Sequence, residues 1–321
     1  MILPPAIRGW HRPLLASAAL LFALALACAV GLFVDDRLLL GESVWVKPLK
    51  FGFAFGGYAV TLAWLLGRLR GARRFGWWVG AVFAVAGVLD VSAIAYAAAR
   101  GTFSHFNVDT DPVARAVQTV FNVAIVPIMV AVLVVAVLVL VQRAGDRALT
   151  RALRIGLGLA VAGILVAIWL SGANGVTPRT VADANGHPVT MIGAHGVGDP
   201  DGSGMPLTHW SATGGDLRVP HFVGLHGVHA LLLVTVLLGA LASRLAWLRD
   251  ERVRARLVGV AALGYTGVFA VLTWQARRGQ SVVHPDQRTL AAFAGIAGFT
   301  LLAAGAVALL ARRRPAPAGD S

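Results

Sequence analysis

The chain has 321 residues, of which 57% are hydrophobic and 13% are charged, and its formal net charge is +13. A soluble domain usually carries about 25% charged residues, so this composition excludes an ordinary water-soluble globular protein. The mean hydropathy of +0.74 indicates a protein of the lipid bilayer.

Eight apolar segments follow one another along the chain. A helical span needs about 20 apolar residues, and these segments are continuously apolar, whereas β-barrel strands alternate. The predicted spans are 13–34, 44–66, 76–99, 114–141, 154–173, 220–242, 256–275 and 289–311. The sequence therefore predicts an all-α integral membrane protein, an eight-transmembrane-helix bundle.

The first apolar segment also has the basic start and apolar middle of a signal peptide, with "ALAC" ending at Cys28. Because the apolar run continues to Val34, we interpret it as a membrane span. Cys28 is the single cysteine, which excludes an intrachain disulfide and thiolate metal sites.

Arginines concentrate in alternate connecting segments, and this sorting explains the positive charge without nucleic acid. The basic set is Arg8, Arg12, Arg68, Arg70, Arg73, Arg74, Arg143, Arg147, Arg151, Arg154, Arg244, Arg249, Arg252, Arg254, Arg256, Arg312, Arg313 and Arg314. The other segments contain most of the acidic residues. By the positive-inside rule, both termini are cytoplasmic and the acidic loops face outward. We expect the bacterial cytoplasmic (inner) membrane, with lipid as a partner and no nucleic acid.

A long outer loop, 174–219, is rich in Gly, Pro, Asp and His. It has no evident secondary structure, and such loops are usually functional or disordered. Asn-Gly pairs in "ANGV" and "ANGH" predict turns within it. The segments "YAAARGTFSHF" and "WQARRGQSVVH" echo each other, either by chance or by duplication. Duplication predicts an N-terminal four-helix half, 1–153, and a C-terminal four-helix half, 154–321, in parallel repeat.

Polar side chains lie in the outer halves of the predicted spans, where a charged group costs at least about 2.5 kcal/mol. Lys47 lies near a helix end and can extend its ammonium to the interface, whereas the deeper Lys50 is expected to pair with Asp90. The pair is either structural or part of a ligand site. The candidate ligand-binding residues are Lys47, Lys50, Asp90, Gln118 and Asn122.

The stretch "PHFVGLHGVH" brings three histidines into the sixth span. His226 and His229 are i,i+3 and share one side of the helix, with two glycines opposite. They are typical of one wall of a polar cavity, whereas His221 more simply binds a neighbouring carbonyl. Histidines near carboxylates suit zinc, copper or haem iron. The candidate cofactor ligands are His105, His221, His226, His229 and His284, with His226 and His229 as the metal-binding pair, and His187, His195 and His209 lie on the same side.

The order of eight spans, with histidines toward the outer side, resembles the layout of haem A synthase, which implies haem. The first outer loop, "DDRLLLGES", departs from that family because it has no cysteine pair, and the first half has no histidine within a span.

The motifs "VWVKPLKF", "RGTFSHFN" and "GGDLRVPHFVGLH" resemble a family of bacterial multi-pass integral membrane proteins. This resemblance covers most of the chain and implies no activity. It implies one outward-facing unit that contains Lys47, Pro48, Lys50, His105, Asp216, Arg218, His221 and His226.

Three functions remain open at this point. The first is an extracytoplasmic His/Lys/Asp site that binds a metal ion or haem for membrane redox or metal-dependent chemistry. The second is a transporter or permease whose polar outer vestibule takes a small-molecule ligand, and the third is a structural or sensory membrane protein. The sequence contains neither a nucleophile elbow nor a phosphate-binding loop, so it assigns no enzymatic reaction.

Overall fold

The computed structural model describes residues 9–172, 177–199, 201 and 203–313. Eight helices in these residues are long and apolar enough to cross a membrane. They are α1 (Arg12–Val34), α2 (Val46–Leu66), α3 (Arg73–Ala99), α4 (Pro112–Val141), α5 (Arg147–Gly172), α6 (Arg218–Leu241), α7 (Glu251–Arg277) and α8 (Gln287–Arg312). The predicted fold is confirmed: the chain is an all-α bundle and a multi-pass membrane protein. Arg8 and Arg314, which also supported the predicted orientation, lie outside the described residues.

Most helix ends lie within three residues of the predicted spans, and the two large differences occur at arginine-rich starts. Helix α5 begins at Arg147 and α7 at Glu251, five or more residues before the predicted apolar segments. Arginine is a good helix former but is strongly polar, so hydropathy alone misses these turns. The predicted boundary between 153 and 154 consequently falls inside α5, and the connection between α4 and α5 is 142–146.

The helix contacts of the first four helices recur in the last four. Helix α1 packs on α2 and α3, α2 packs on α3, and α3 packs on α4; the corresponding pairs in α5–α8 are also in contact. Helix α4 packs on α5 and joins the two sets. This recurrence supports two four-helix halves in parallel repeat, which we keep as a proposal. As names for sets of helices only, we call α1–α4 the first half and α5–α8 the second half.

Short β-hairpins cover the end of the bundle that carries the long connections. They consist of β1 (Leu38–Leu39) with β2 (Glu42–Ser43), β3 (Arg179–Ala182) with β4 (Pro188–Met191), and β5 (Gly196–Val197) with β6 (Gly215–Asp216). The expectation that the long loop has no secondary structure was wrong. Its strands are two to four residues long, too short for an alternating pattern to stand out in the sequence.

One of the predicted Asn-Gly turns is confirmed between β3 and β4. Gly186 has a φ of +82°, and the backbone N–H of Asp183 donates to the carbonyl of His187 at 2.8 Å. Glycine adopts this left-handed conformation without steric cost. The other pair, in 173–176, lies outside the described residues.

Small residues let the helices of each half approach closely, as the sequence predicted for α2 and α6. A Cβ on Gly224 of α6 would lie 2.7 Å from the Cα of Gly163 in α5. A Cβ on Gly52 of α2 would lie 2.9 Å from the carbonyl oxygen of Leu21 in α1. Close contact on these sides leaves the opposite sides of α2 and α6 to face each other.

Candidate functional site

A group of polar side chains joins α2 to α6 in the middle of the bundle. We call Tyr58, Thr61, His226 and His229 the central cluster. His229 lies halfway along the 24 residues of α6, and its ring meets the ring of Tyr58 edge-on with centroids 4.9 Å apart. Its Nε2 lies 3.1 Å from the Thr61 Oγ1, and its Nδ1 lies 3.4 Å from the Nδ1 of His226. The predicted histidine pair therefore contacts side chains of the other half.

The hydrogen bonds of the central cluster define which ring nitrogens carry protons. Thr61 donates its single hydroxyl proton to the carbonyl of Gly57 at 2.9 Å, so its oxygen accepts from the Nε2–H of His229. In a neutral imidazole, the Nδ1 of His229 is then an acceptor. His226 consequently donates through its own Nδ1–H, which leaves the Nε2 of His226 unprotonated.

Two tyrosines, one of them the Tyr58 of the central cluster, fix the position of α6. The hydroxyl of Tyr58 in α2 donates to the carbonyl of Leu225, and the hydroxyl of Tyr265 in α7 donates to the carbonyl of Val223 at 2.7 Å. Hydrogen bonds inside a bundle hold helices in register where lipid gives little driving force for association. The backbone that carries His226 is thus attached to both halves.

Sequence reasoning missed Tyr58 and Thr61 as site residues. Both are common, uncharged residues within an apolar span, so neither stands out as a charged group does. Their i,i+3 spacing was the available signal, because it puts both side chains on one side of α2.

A second polar group lies closer to the loop end. Both carboxylate oxygens of Asp90 in α3 are buried, and neither has a hydrogen-bond partner among the described residues. Lys47 of α2 is the cation that acts electrostatically on this carboxylate. Asp90 lies nine residues from the end of α3, about 14 Å along the helix axis. A buried carboxylate with no hydrogen bond is costly and is a functional candidate by default.

His105 and His195 meet beside this second group, in the loops above the helices. Their ring centroids are 6.4 Å apart, and the ring of His105 packs against Phe121 at 4.0 Å. Burial, together with the positive charge of Lys47, lowers the pKa of His105 well below its usual value. Burial also lowers the pKa of His195, with a contribution from the charge of Arg218. Both rings are therefore neutral at physiological pH.

The predicted pairing of Lys50 with Asp90 was wrong. The ammonium of Lys50 lies 2.9 Å from a carboxylate oxygen of Glu42 and also donates to the carbonyl of Thr208 at 3.0 Å. Lys50 is three residues further along α2 than Lys47, almost one helical turn, and points toward the loop that covers the bundle. Glu42 belongs to the β1–β2 hairpin, whose folding the sequence pattern did not indicate.

The remaining predicted histidine ligands bind backbone carbonyls outside the central cluster. The Nδ1 of His221 lies 2.8 Å from the carbonyl oxygen of Gly163, as the simpler interpretation of this residue predicted. The Nδ1 of His284 lies 3.1 Å from the carbonyl oxygen of Ala212, at an exposed position.

Gln118 and Asn122 pair with each other on α4. The side-chain amide of Gln118 donates to the Asn122 carbonyl oxygen at 3.0 Å, and Asn122 is exposed. This one-turn pair satisfies the Gln118 amide N–H and the Asn122 oxygen, whereas the buried Oε1 of Gln118 has no hydrogen-bond partner among the described residues.

The structure does not bring three predicted metal ligands together. Among residues 9–172, 177–199, 201 and 203–313, no group of three or more His, Cys, Asp or Glu side chains could hold a metal ion. The histidines instead form two pairs, His226 with His229 and His105 with His195. A metal bound here would take at most two of these imidazoles from one pair.

Comparisons of the chain with models of known families, with curated proteins and with solved structures give no match. The chemistry of the site is therefore argued from its own residues.

Proposed function

We propose that this membrane protein binds haem, or another transition-metal complex, through His226 in the middle of the bundle. The hydrogen-bond chain from Gly57 through Thr61 and His229 supports this proposal, because it leaves the Nε2 of His226 with a free lone pair. A histidine that binds a metal usually donates its other ring N–H to an acceptor, which orients the ring. The Nδ1 of His229 is that acceptor.

The number of available ligands favours a haem-type group over a bare ion. A zinc ion takes three or four ligands from the protein, whereas haem iron takes one or two axial ligands. The described part of the chain offers no group of three ligands, but it offers one oriented imidazole. His226 would hold such a cofactor, which would supply electron transfer in the membrane while the protein supplies ligation and burial.

The decisive measurement is an absorption spectrum with elemental metal analysis on the detergent-purified protein. We expect a Soret band or a stoichiometric metal in the wild type and its loss in His226→Ala. In His229→Ala we expect weaker binding, by about 10 to 100-fold, because the imidazole of His226 loses its orienting partner. His284→Ala is the matched control, since it removes an exposed outer imidazole and should bind the cofactor like the wild type.

Retention of the cofactor in His226→Ala would place the ligand elsewhere and overturn the proposal. A protein expressed with iron and haem precursors that still has neither chromophore nor metal would do the same. Thermal unfolding of each purified variant shows whether a loss reflects ligation or misfolding.

Transport is the second candidate, and the position of the central cluster favours it. Transporters built from repeats bind substrates near the bilayer midplane, where the repeats meet. The central cluster lies at such a level, between α2 of one proposed half and α6 of the other. If the protein has no cofactor, uptake of candidate cations or protons into proteoliposomes would test this function.

A further inference from the structure

The arginine-rich end of the bundle contains a large cavity that the central cluster does not use. Its volume is about 870 Å³, and it lies between the starts of α5 and α7 and the connection between α4 and α5. Six arginines and one glutamate line it, a net charge of +5. The arginines are Arg143, Arg147, Arg151, Arg154, Arg252 and Arg256.

Helical spacing brings these arginines around one space. Arg147, Arg151 and Arg154 are i, i+4 and i+7 on α5, so they share one side of that helix. Arg252 and Arg256 are i,i+4 on α7, which packs on α5. Like charges around one space repel each other, so an anion bound among them would be stabilised.

The protein supplies only part of the counter-charge. Arg151 donates to the carbonyl of Ala255 at 2.7 Å, and Arg147 lies 4.0 Å from Glu251, the only acidic residue lining the described cavity. Among the described residues, the guanidinium groups of Arg143, Arg252 and Arg256 make no hydrogen bond or ion pair. Three planar donor groups thus face the cavity without acceptors.

We propose that the cavity lined by these six arginines binds a phosphate-bearing anion. Guanidinium groups match phosphate oxygens in a bidentate geometry, and several of them around one cavity suit a group with more than one phosphate. The volume is that of a site for a whole small molecule or headgroup, larger than a single phosphate needs. The arginines occupy the polar first turns before the apolar segments, the level of lipid headgroups, where basic cavities between helices hold anionic lipids.

The experiment compares three full-length proteins in neutral detergent: wild type, Arg252→Gln/Arg256→Gln, and the control Arg73→Gln/Arg74→Gln. The control removes two exposed arginines at the start of α3, outside the cavity. Thermal unfolding is followed by tryptophan fluorescence during titration with cardiolipin, with phosphatidylcholine, and with sodium pyrophosphate. Sodium chloride at equal ionic strength accompanies the pyrophosphate series.

We expect the wild type and the control to be stabilised with the same apparent affinity, and Arg252→Gln/Arg256→Gln to bind at least tenfold more weakly. Stabilisation by cardiolipin alone assigns a lipid headgroup, whereas stabilisation by pyrophosphate as well assigns the phosphate group of a soluble compound. Equal affinity in all three proteins would overturn the proposal, as would an equal effect of sodium chloride. If the double variant does not fold, the exposed Arg143→Gln serves in its place, with at least threefold weaker binding expected.

Discussion

Helices α2 and α6 occupy corresponding places in the two sets of four helices, yet they carry different chemistry. Each packs through glycine on the helix before it, α2 on α1 and α6 on α5. Helix α6 presents two imidazoles to the middle of the bundle, whereas α2 presents Tyr58 and Thr61. The first half therefore contributes hydroxyl groups to the central cluster, and the second contributes its imidazoles.

A parallel contrast exists at the loop end, where each of these helices carries a cation paired with an acid. Lys50 pairs with Glu42 and donates to the carbonyl of Thr208. Arg218 pairs with Asp216 and donates to the carbonyl of His209, which follows Thr208 in the chain. A cation from each half thus binds one of two adjacent carbonyls in the long loop. The two acids differ in burial, because Asp216 is fully buried and Glu42 keeps more accessible surface.

Removing the cation from each pair is expected to give the largest difference in the free energy of unfolding between variants of the two halves. Arg218→Gln should lower the free energy of unfolding by about 3 kcal/mol, because it leaves the buried carboxylate of Asp216 without its cation. Lys50→Gln should cost less than about 1 kcal/mol, since Glu42 is more accessible to water. Unfolding of the purified variants in mixed detergent micelles, followed by tryptophan fluorescence, measures both. Equal losses would show that the two pairs are equivalent.

Substitution of the contact glycines by alanine should also destabilise the two halves unequally, by a smaller difference in the free energy of unfolding. In Gly163→Ala the new Cβ would lie 2.8 Å from backbone atoms of α6, so the helices must separate, at about 1 to 3 kcal/mol. In Gly56→Ala the three atoms nearest to the new Cβ belong to the ring of Phe22, a side chain that can rotate away. Gly158→Ala is the control within α5, because no atom lies within 4 Å of its new Cβ. The same unfolding assay should rank Gly163→Ala as the most destabilised of the three.

The sequence predicted the helices well because hydrophobic length is a local property. All eight spans follow from runs of apolar residues, and only the polar first turns of α5 and α7 were missed. The small-residue sides of α2 and α6 were also predictable, since helical periodicity alone puts the glycines opposite the polar side chains.

The pairing of the polar residues was not predictable, because it depends on how the helices face each other. Lys50 was expected to pair with Asp90, but the β1–β2 hairpin, whose strands have two residues each, brings Glu42 to within 2.9 Å of the Lys50 ammonium. Thr61 and Tyr58 became site residues only through the approach of α2 to α6, which no periodicity within one helix reveals.

The two halves also meet in the loops, where His105 contacts His195. Because of these two histidines, the free energy of unfolding is expected to depend on pH. Both rings have a pKa below the ordinary value of 6.5 in the folded chain. Between pH 6.5 and the lowered folded pKa, the unfolded chain binds protons that the folded chain does not. Stability should therefore fall as the pH drops below 6.5, by up to about 1.4 kcal/mol per pH unit for each histidine.

His105→Phe isolates the contribution of the first half to this pH dependence. Phenylalanine keeps the packing on Phe121 but cannot titrate, so the variant should lose about 1 kcal/mol less than the wild type between pH 6.5 and 5.5. If His105→Phe showed the wild-type slope, proton binding at His195 or elsewhere would account for the acid sensitivity. The first half would then support the contact between His105 and His195 through packing alone, as it supports the central cluster through hydrogen bonds.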